Sequence, residues 1–181
     1  RSDGQAGIRN EIWIVPTVGC INKIAERLAR MANEIYGGRG IDGVFAFDHP
    51  YGCSQLGDDL INTQKILCGL IRHPNAGGVL VLGLGCENNN IAEMKKALGT
   101  IPENTVFLNV QSVEDELAEG MALLEGLVRK AERARRKPIP VSRLKLGLKC
   151  GGSDGFSGIT ANPLIGILSD RLVSLGGTTI L

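Results

Sequence analysis

Thiols and an imidazole recur directly after the hydrophobic segments of this 181-residue chain. Cys20 follows the first such segment, His49 and Cys53 follow the second, Cys86 follows the third and Cys150 follows a later one. A thiol at the start of a helix ionises more readily, and the thiolate is the form that binds metal or attacks carbon. These residues therefore predict a soft-ligand metal set of His49, Cys53, Cys86 and Cys150. No C-x-x-C pair occurs, so simple packing of small thiols in tight turns is the alternative.

The remaining histidine and cysteine favour structural roles. His73 precedes Pro74 between a helix and the next strand, so we expect it to shape a turn. Cys68 lies beside Leu67 and Leu70 on one predicted helix face, so we expect it to pack in the core.

Two glycine-rich segments differ in what they predict. Gly83 and Gly85 resemble the start of a dinucleotide fingerprint, but Asn88 stands where the third glycine belongs, so this prediction is set aside. The later segment Gly151-Gly152-Ser153-Asp154-Gly155 is a better anion cradle, because glycine lets backbone amides approach a carboxylate or phosphate. A plain flexible loop is the alternative.

The elements that position these residues alternate between strand and helix. Strands are predicted at 11–17, 42–48, 77–84, 105–110, 144–149 and from 178, and the longest helix is predicted at 113–136. Such alternation indicates an α/β fold, a doubly wound and mostly parallel, Rossmann-like three-layer sheet. Ligands of open α/β sheets bind beyond the carboxyl ends of the strands, where the reactive residues fall.

Pro138 and Pro140 mark a boundary in the chain. They predict a central α/β domain over residues 1–137, with a linker and the beginning of a truncated C-terminal α/β domain over 138–181. The chain starts at Arg1 without methionine and ends within a predicted strand, so we expect a piece of a longer polypeptide.

Composition narrows the class of protein. A hydrophobic fraction of 43% excludes a disordered chain, and a net charge of +1 provides no field that would attract nucleic acid. No apolar run reaches the roughly 20 residues of a membrane span. Five cysteines, an odd number, argue against a disulfide framework and favour a cytoplasmic protein.

Four segments together resemble one enzyme family: residues 1–10 (RSDGQAGIRN), 49–53 (HPYGC), 83–87 (GLGCE) and 149–158 (KCGGSDGFSG). They look like the altronate/galactarate dehydratase family. The resemblance implies a hydro-lyase that removes water from a hexonate or hexarate and leaves a 2-keto-3-deoxy sugar acid. Family members are activated by Fe²⁺, sometimes Mn²⁺, and they include a lyase that eliminates sulfite from sulfolactate. Full-length members carry further domains on both sides of the region seen here.

The resemblance and the residue chemistry together give a hypothesis for the site. His49 or Lys149 is the candidate base, and the metal lies at or near His49 and the thiolates of Cys53, Cys86 or Cys150. The expected substrate-binding residues are Arg9, Asn10, Glu87, Asn88, Gly151, Gly152, Ser153 and Asp154. Glu87 or Asp154 is an alternative metal ligand, and a base outside this chain is also open.

Two rival functions remain at this point. One is a dehydratase with an iron–sulfur cluster held by three cysteines. The other is a non-catalytic module that binds a small anion. The expected partner is a small sugar acid, without nucleic acid or membrane, and a homodimer is the expected assembly.

Overall fold

A computed structural model describes residues 1–149, 151–152 and 154–181. Strands and helices alternate along the chain. The strands are β1 (Glu11–Pro16), β2 (Val44–Ala46), β3 (Ala76–Gly83), β4 (Thr105–Asn109), β5 (Lys145–Gly147) and β6 (Thr178–Ile180). The helices are α1 (Asn22–Tyr36), α2 (Gly57–Ile71), α3 (Ile91–Leu98), α4 (Glu116–Ala131), α5 (Gly155–Ile159) and α6 (Ala161–Ser174), with short 3₁₀ segments at Gly19–Ile21, Val110–Ser112 and Val141–Arg143.

The chain divides into two compact units, Arg1–Arg135 and Arg136–Leu181. The first unit holds a four-stranded parallel sheet in the order β2-β1-β3-β4. Because the chain moves outward from β1 to β2 and then returns to the other side of β1 for β3, the direction of winding reverses between β1 and β3. The predicted doubly wound α/β fold is confirmed.

Helices cover both faces of this sheet. Ile12, Ile14, Leu80 and Leu82 point to the face packed by α1 and α4. The intervening residues Trp13, Val15, Val79 and Val81 point to the face packed by α2 and α3. Successive side chains of a strand project to opposite faces, so a central strand covered on both sides is apolar throughout. All eight residues of β3 are accordingly buried.

The predicted ends of the longest helix were wrong. α4 begins at Glu116 because the Asp115 side chain accepts hydrogen bonds from the N–H groups of Leu117 and Ala118, at 3.0 and 2.9 Å. An aspartate in this position caps a helix and marks its first turn. The helix ends at Ala131, five residues before the predicted end.

The second unit is a small βαβ arrangement. β5 and β6 pair in parallel, and α6 joins them after the short helix α5. Leu172 is the buried apolar side chain of α6, whereas Leu164 and Ile167 are exposed. No helix in the described parts of the chain combines the length and apolar character that crossing a membrane requires.

Candidate functional site

The loops that follow β1, β2 and β3 meet at the carboxyl edge of the sheet. The Gly19 N–H donates to the Tyr51 carbonyl at 2.8 Å, which joins the first loop to the second. The Asn88 N–H donates to the Cys53 carbonyl at 3.0 Å, which joins the second loop to the third. Gly19 lies so close to this neighbour that a Cβ atom there would sit 3.0 Å from the Tyr51 carbonyl oxygen. These backbone contacts bring together segments that are 30 or more residues apart.

His49 is held at this edge by helix α1. The Asn22 side chain donates from Nδ2 to the His49 carbonyl and accepts the His49 N–H at Oδ1, both at 3.0 Å. His49 as a whole is only 4% exposed. Its Nε2 atom has no hydrogen-bond partner among the described residues. A buried polar atom without a partner is costly and calls for a ligand or a water molecule.

Burial lowers the pKa of His49, and a hydrogen bond to the backbone of Pro16 offsets only part of this effect. The ring is therefore neutral at physiological pH. In the neutral tautomer protonated at Nδ1, Nε2 is the nitrogen without a hydrogen. Nε2 then carries a lone pair that can accept a proton or bind a cation.

Glu87 fastens the loop after β3 to the end of β1. Its carboxylate accepts hydrogen bonds from the Thr17 hydroxyl at 2.6 Å, the Leu84 N–H at 3.0 Å and the Gly85 N–H at 2.6 Å. Burial raises the pKa of Glu87, but these hydrogen bonds outweigh burial and hold the pKa below its usual value. Sequence analysis proposed substrate binding for this residue. Its carboxylate already accepts hydrogen bonds from its own loop and from Thr17, and substrate binding by Glu87 stays a prediction.

Two asparagines at the same edge carry buried oxygens without partners among the described residues, Asn89 Oδ1 and Asn109 Oδ1. Asn89 is 3% exposed, and its Nδ2 donates to the Thr17 carbonyl at 3.4 Å. Asn109 ends β4, where its Oδ1 lies 2.8 Å from the point that a Cβ of Gly85 would occupy. The backbone φ of Gly85 is +126°, a conformation that side-chain-bearing residues rarely adopt.

The described cysteines do not assemble a metal site. Cys20, Cys53 and Cys86 are exposed. Within the described part of the chain, no group of three or more histidine, cysteine, aspartate or glutamate side chains is close enough to hold a metal ion. Cys150 lies outside the described residues. Of the expected ligand set, the free and neutral Nε2 of His49 fits a cation, but the described donors do not complete a coordination shell.

Arg9 and Asn10 lie at the opposite, amino edge of the sheet because they precede β1. Arg9 forms an ion pair with Glu11 at 3.2 Å. Asn10 donates from Nδ2 to the carbonyls of Gly40 and Ala131, both at 3.0 Å, and its Oδ1 accepts from Arg1 at 2.9 Å. The structure does not bring these two residues to His49.

The remaining expected site residues are distributed between the two units. Asn88 donates from Nδ2 to the Gln55 carbonyl at 2.9 Å, which ties the second and third loops together. Lys149, Gly151 and Gly152 are exposed in the second unit. Asp154 caps α5 by accepting the Ser157 N–H at 2.9 Å. Ser153 lies outside the described residues.

Both structural predictions are confirmed. Cys68 lies on α2 and is buried among the apolar residues that pack between the sheet and helices α2 and α3. Burial raises the pKa of its thiol. His73 accepts the Asn75 N–H at Nδ1 over 3.2 Å and so shapes the turn before β3. Sequence analysis missed Thr17, Asn22, Asn89 and Asn109. Their position after or beside predicted strand ends is the one signal that pointed to them.

Both units of the chain are similar to one family of known proteins. Residues 1–132 match the family model described as D-galactarate dehydratase/altronate hydrolase, second domain. Residues 141–181 match the model described as D-galactarate/altronate dehydratase, C-terminal.

Individual relatives cover the full chain. It is 58% identical to an altronate dehydratase of Bacillus subtilis and 52% identical to an altronate dehydratase of Escherichia coli, over 100% of its length in each case. It is 30% identical, over 99% of its length, to the (2R)-sulfolactate sulfo-lyase subunit beta of Chromohalobacter salexigens. The chain spans 37% of the length of each altronate dehydratase and 44% of the sulfo-lyase subunit.

Proposed function

The chain belongs to the D-galactarate dehydratase/altronate hydrolase family, and from this membership we propose that the protein carrying it is a hydro-lyase that dehydrates a sugar acid. Altronate is the proposed substrate, because both relatives above 50% identity carry that name. The proposed product is the 2-keto-3-deoxy sugar acid. Galactarate is the second substrate to be tested, since the family description includes it.

One observation in the chain supports a catalytic role at the carboxyl edge: the buried Nε2 atom of His49 that has no partner among the described residues. Asn22 binds both the N–H and the C=O of this residue, so the backbone that carries the imidazole is held in place before any ligand arrives. Pre-positioning of a base reduces the reorganisation required at the moment of reaction. A neutral imidazole is the protonation state that a general base needs.

In the proposed reaction, His49 Nε2 takes the proton from the carbon next to the substrate carboxylate. The electron pair of that C–H bond forms a carbon–carbon double bond, and the hydroxyl on the neighbouring carbon leaves with a proton as water. The resulting enol then tautomerises to the ketone, so the net change is the loss of one water molecule. Lys149 is the alternative base, placed in the second unit as an exposed side chain.

The test is a pair of histidine variants of the full-length protein. His49→Gln removes the proposed base, and we expect turnover of altronate to fall by about 10²- to 10⁴-fold. His73→Gln changes the other histidine of the chain, at the amino edge, and is expected to keep near-wild-type turnover. The assay measures the 2-keto-3-deoxy acid. Equal turnover in the two variants would exclude His49 as the base.

Elimination of sulfite from sulfolactate is the second candidate function, favoured by the 30% identity to the sulfo-lyase subunit. The two reactions differ in the group that leaves, water in one and sulfite in the other. Full-length protein is therefore assayed side by side with altronate, galactarate and sulfolactate. Sulfite release with sulfolactate and no keto acid from altronate would replace the first proposal by the second.

A divalent cation, Fe²⁺ or Mn²⁺, is a further part of the proposal and rests on the family resemblance. When bound, such a cation would stabilise negative charge on the substrate carboxylate as the proton leaves. His49 is the described residue that fits it, and the other proposed ligands are Cys53, Cys86 and Cys150. Metal analysis of anaerobic protein with Cys86→Ser and Cys150→Ser variants tests this set. A brown protein with visible thiolate-to-iron bands would favour the iron–sulfur alternative.

We also propose how the protein assembles and where it is located in the cell. A homodimer in the cytoplasm is proposed for the protein that carries this chain. Light scattering on the full-length protein measures its mass in solution, and a monomeric mass would exclude the dimer. Cell fractionation tests the location.

A further inference from the structure

We propose that Asn89 Oδ1 accepts a hydrogen bond from a hydroxyl group of the bound sugar acid, which makes Asn89 a specificity-determining residue. The inference deepens the proposed function and rests on it. It starts from a buried side chain that is fixed at one end and has no partner among the described residues at the other.

The orientation of the Asn89 amide follows from its hydrogen bond to β1. A backbone carbonyl can only accept, so the group that faces the Thr17 carbonyl at 3.4 Å is the Nδ2 donor. The other end of the amide is then the Oδ1 acceptor. Asn89 is 3% exposed, so bulk water does not satisfy this atom.

His49 and Asn89 lie in two different loops near the end of β1. The loop after β2 carries His49, and from the loop after β3 the Asn89 amide reaches the carbonyl of Thr17. β2 and β3 lie on opposite sides of β1 in the sheet, so these two loops approach the end of β1 from opposite sides. They therefore border the point where the winding of the sheet reverses, which is where open α/β sheets bind ligands.

The chemistry of the two free atoms selects the ligand. Nε2 of a neutral imidazole protonated at Nδ1 and Oδ1 of an amide are both acceptors, so they call for hydrogen-bond donors or a cation. A carboxylate or phosphate group supplies none. The hydroxyl groups of a polyhydroxy acid supply several, and a site built to bond a hydroxyl strongly rejects an analogue that lacks it.

The Glu87 carboxylate accepts hydrogen bonds from Thr17, Leu84 and Gly85. These bonds also fix the loop from which Asn89 projects. Asn89 therefore stands on a supported loop, as a residue that discriminates between ligands must.

The test compares two asparagines in the full-length protein. Asn89→Ala removes the proposed acceptor. Asn104→Ala is the matched control, because Asn104 also donates one side-chain bond to a backbone carbonyl, that of Ala76 at 3.1 Å, but at the amino edge. We expect Asn89→Ala to raise KM for altronate by about 10- to 100-fold and Asn104→Ala to leave KM unchanged.

Analogues of altronate that each lack one hydroxyl identify the interaction. Wild type is expected to bind one of these analogues at least about tenfold more weakly than altronate, whereas Asn89→Ala binds that analogue and altronate equally. The milder variant Asn89→Ser replaces Asn89→Ala if the latter does not fold. Equal KM values for the two alanine variants would overturn the inference, as would a loss of bound Fe²⁺ in Asn89→Ala with no change in hydroxyl preference. Failure of wild type to bind or convert any polyhydroxy acid would instead overturn the proposed function, and this inference with it.

Discussion

The Glu87 carboxylate gives the most direct test of how the candidate site is held together. Glu87→Gln keeps the shape of the side chain but replaces one oxygen by an NH₂ group. If that group faces Gly85, two donors meet where the carboxylate now accepts at 2.6 Å. If it faces the other way, the Leu84 N–H and the Thr17 hydroxyl lose their acceptor. Either orientation leaves a backbone N–H without its partner.

The loss of stability expected for Glu87→Gln follows from the type of hydrogen bond that is lost. A hydrogen bond to a charged group contributes roughly 1.5 to 3 kcal/mol, about twice the value of a neutral pair. We therefore expect Glu87→Gln to lower the free energy of unfolding by about 2 kcal/mol. Thr17→Val removes only the hydroxyl donor, and we expect a loss of about 1 kcal/mol because the carboxylate keeps its backbone donors.

The assay is urea unfolding followed by the fluorescence of Trp13, the only tryptophan of the chain, which is buried in the same unit. Glu93→Gln is the control, because the Glu93 side chain is 47% exposed and pairs with Lys96 only at 3.8 Å. We expect Glu93→Gln to lower the free energy of unfolding by less than about 0.5 kcal/mol. If Glu87→Gln unfolds at the same urea concentration as Glu93→Gln, the carboxylate does not stabilise the loop and the reasoning is refuted.

Three further predictions concern a histidine, the thiols and the N-terminal segment. Burial lowers the pKa of His73 below 6.5, so its contribution to stability is present above that pH and is lost as the pH falls through the lowered pKa. The free energy of unfolding should therefore depend less steeply on pH in His73→Gln than in wild type. Equal slopes in the two proteins would contradict this. Iodoacetamide labelling read by mass spectrometry should modify the exposed Cys20, Cys53 and Cys86 well before Cys68, and rapid labelling of Cys68 would show that its core opens. Gly7→Ala should release residues 1–10 to proteolysis, because a Cβ there collides with the Pro74 carbonyl; Gly69→Ala, at an exposed position of α2 where a Cβ meets nothing nearby, should not.

The fold was predictable to a large extent because its signals are local. Alternating apolar and polar stretches predicted the α/β class, and the continuous apolar run of residues 77–84 predicted a strand covered on both sides, as β3 is. Helix ends were less predictable. The start of α4 depends on which of several polar residues turns its side chain onto the backbone, and Asp115 does so.

The candidate site was predictable in its place and less so in its members. Residues that follow parallel strands had to meet at one edge, and the loops carrying His49, Cys53 and Asn88 do meet. Arg9 precedes β1 and lies at the other edge, a consequence of the same topology that the resemblance alone did not reveal. Reasoning from residue type favours cysteine and histidine, whereas the role proposed for Asn89 rests on its burial and on an oxygen without a partner among the described residues.

Helix α1 carries a second asparagine that acts in the same way as Asn22. Asn33 donates to the Val44 carbonyl at 2.6 Å and accepts the Val44 N–H at 2.8 Å, so its side-chain amide occupies the outer hydrogen-bonding positions of strand β2. Open strand borders are where proteins recruit foreign chains and begin to aggregate. Here the Asn33 side chain takes the position that a neighbouring strand would have at Val44. The N–H and C=O of Val44 are therefore already bonded when another strand approaches. Continuation of the sheet past β2 is thereby disfavoured at Val44.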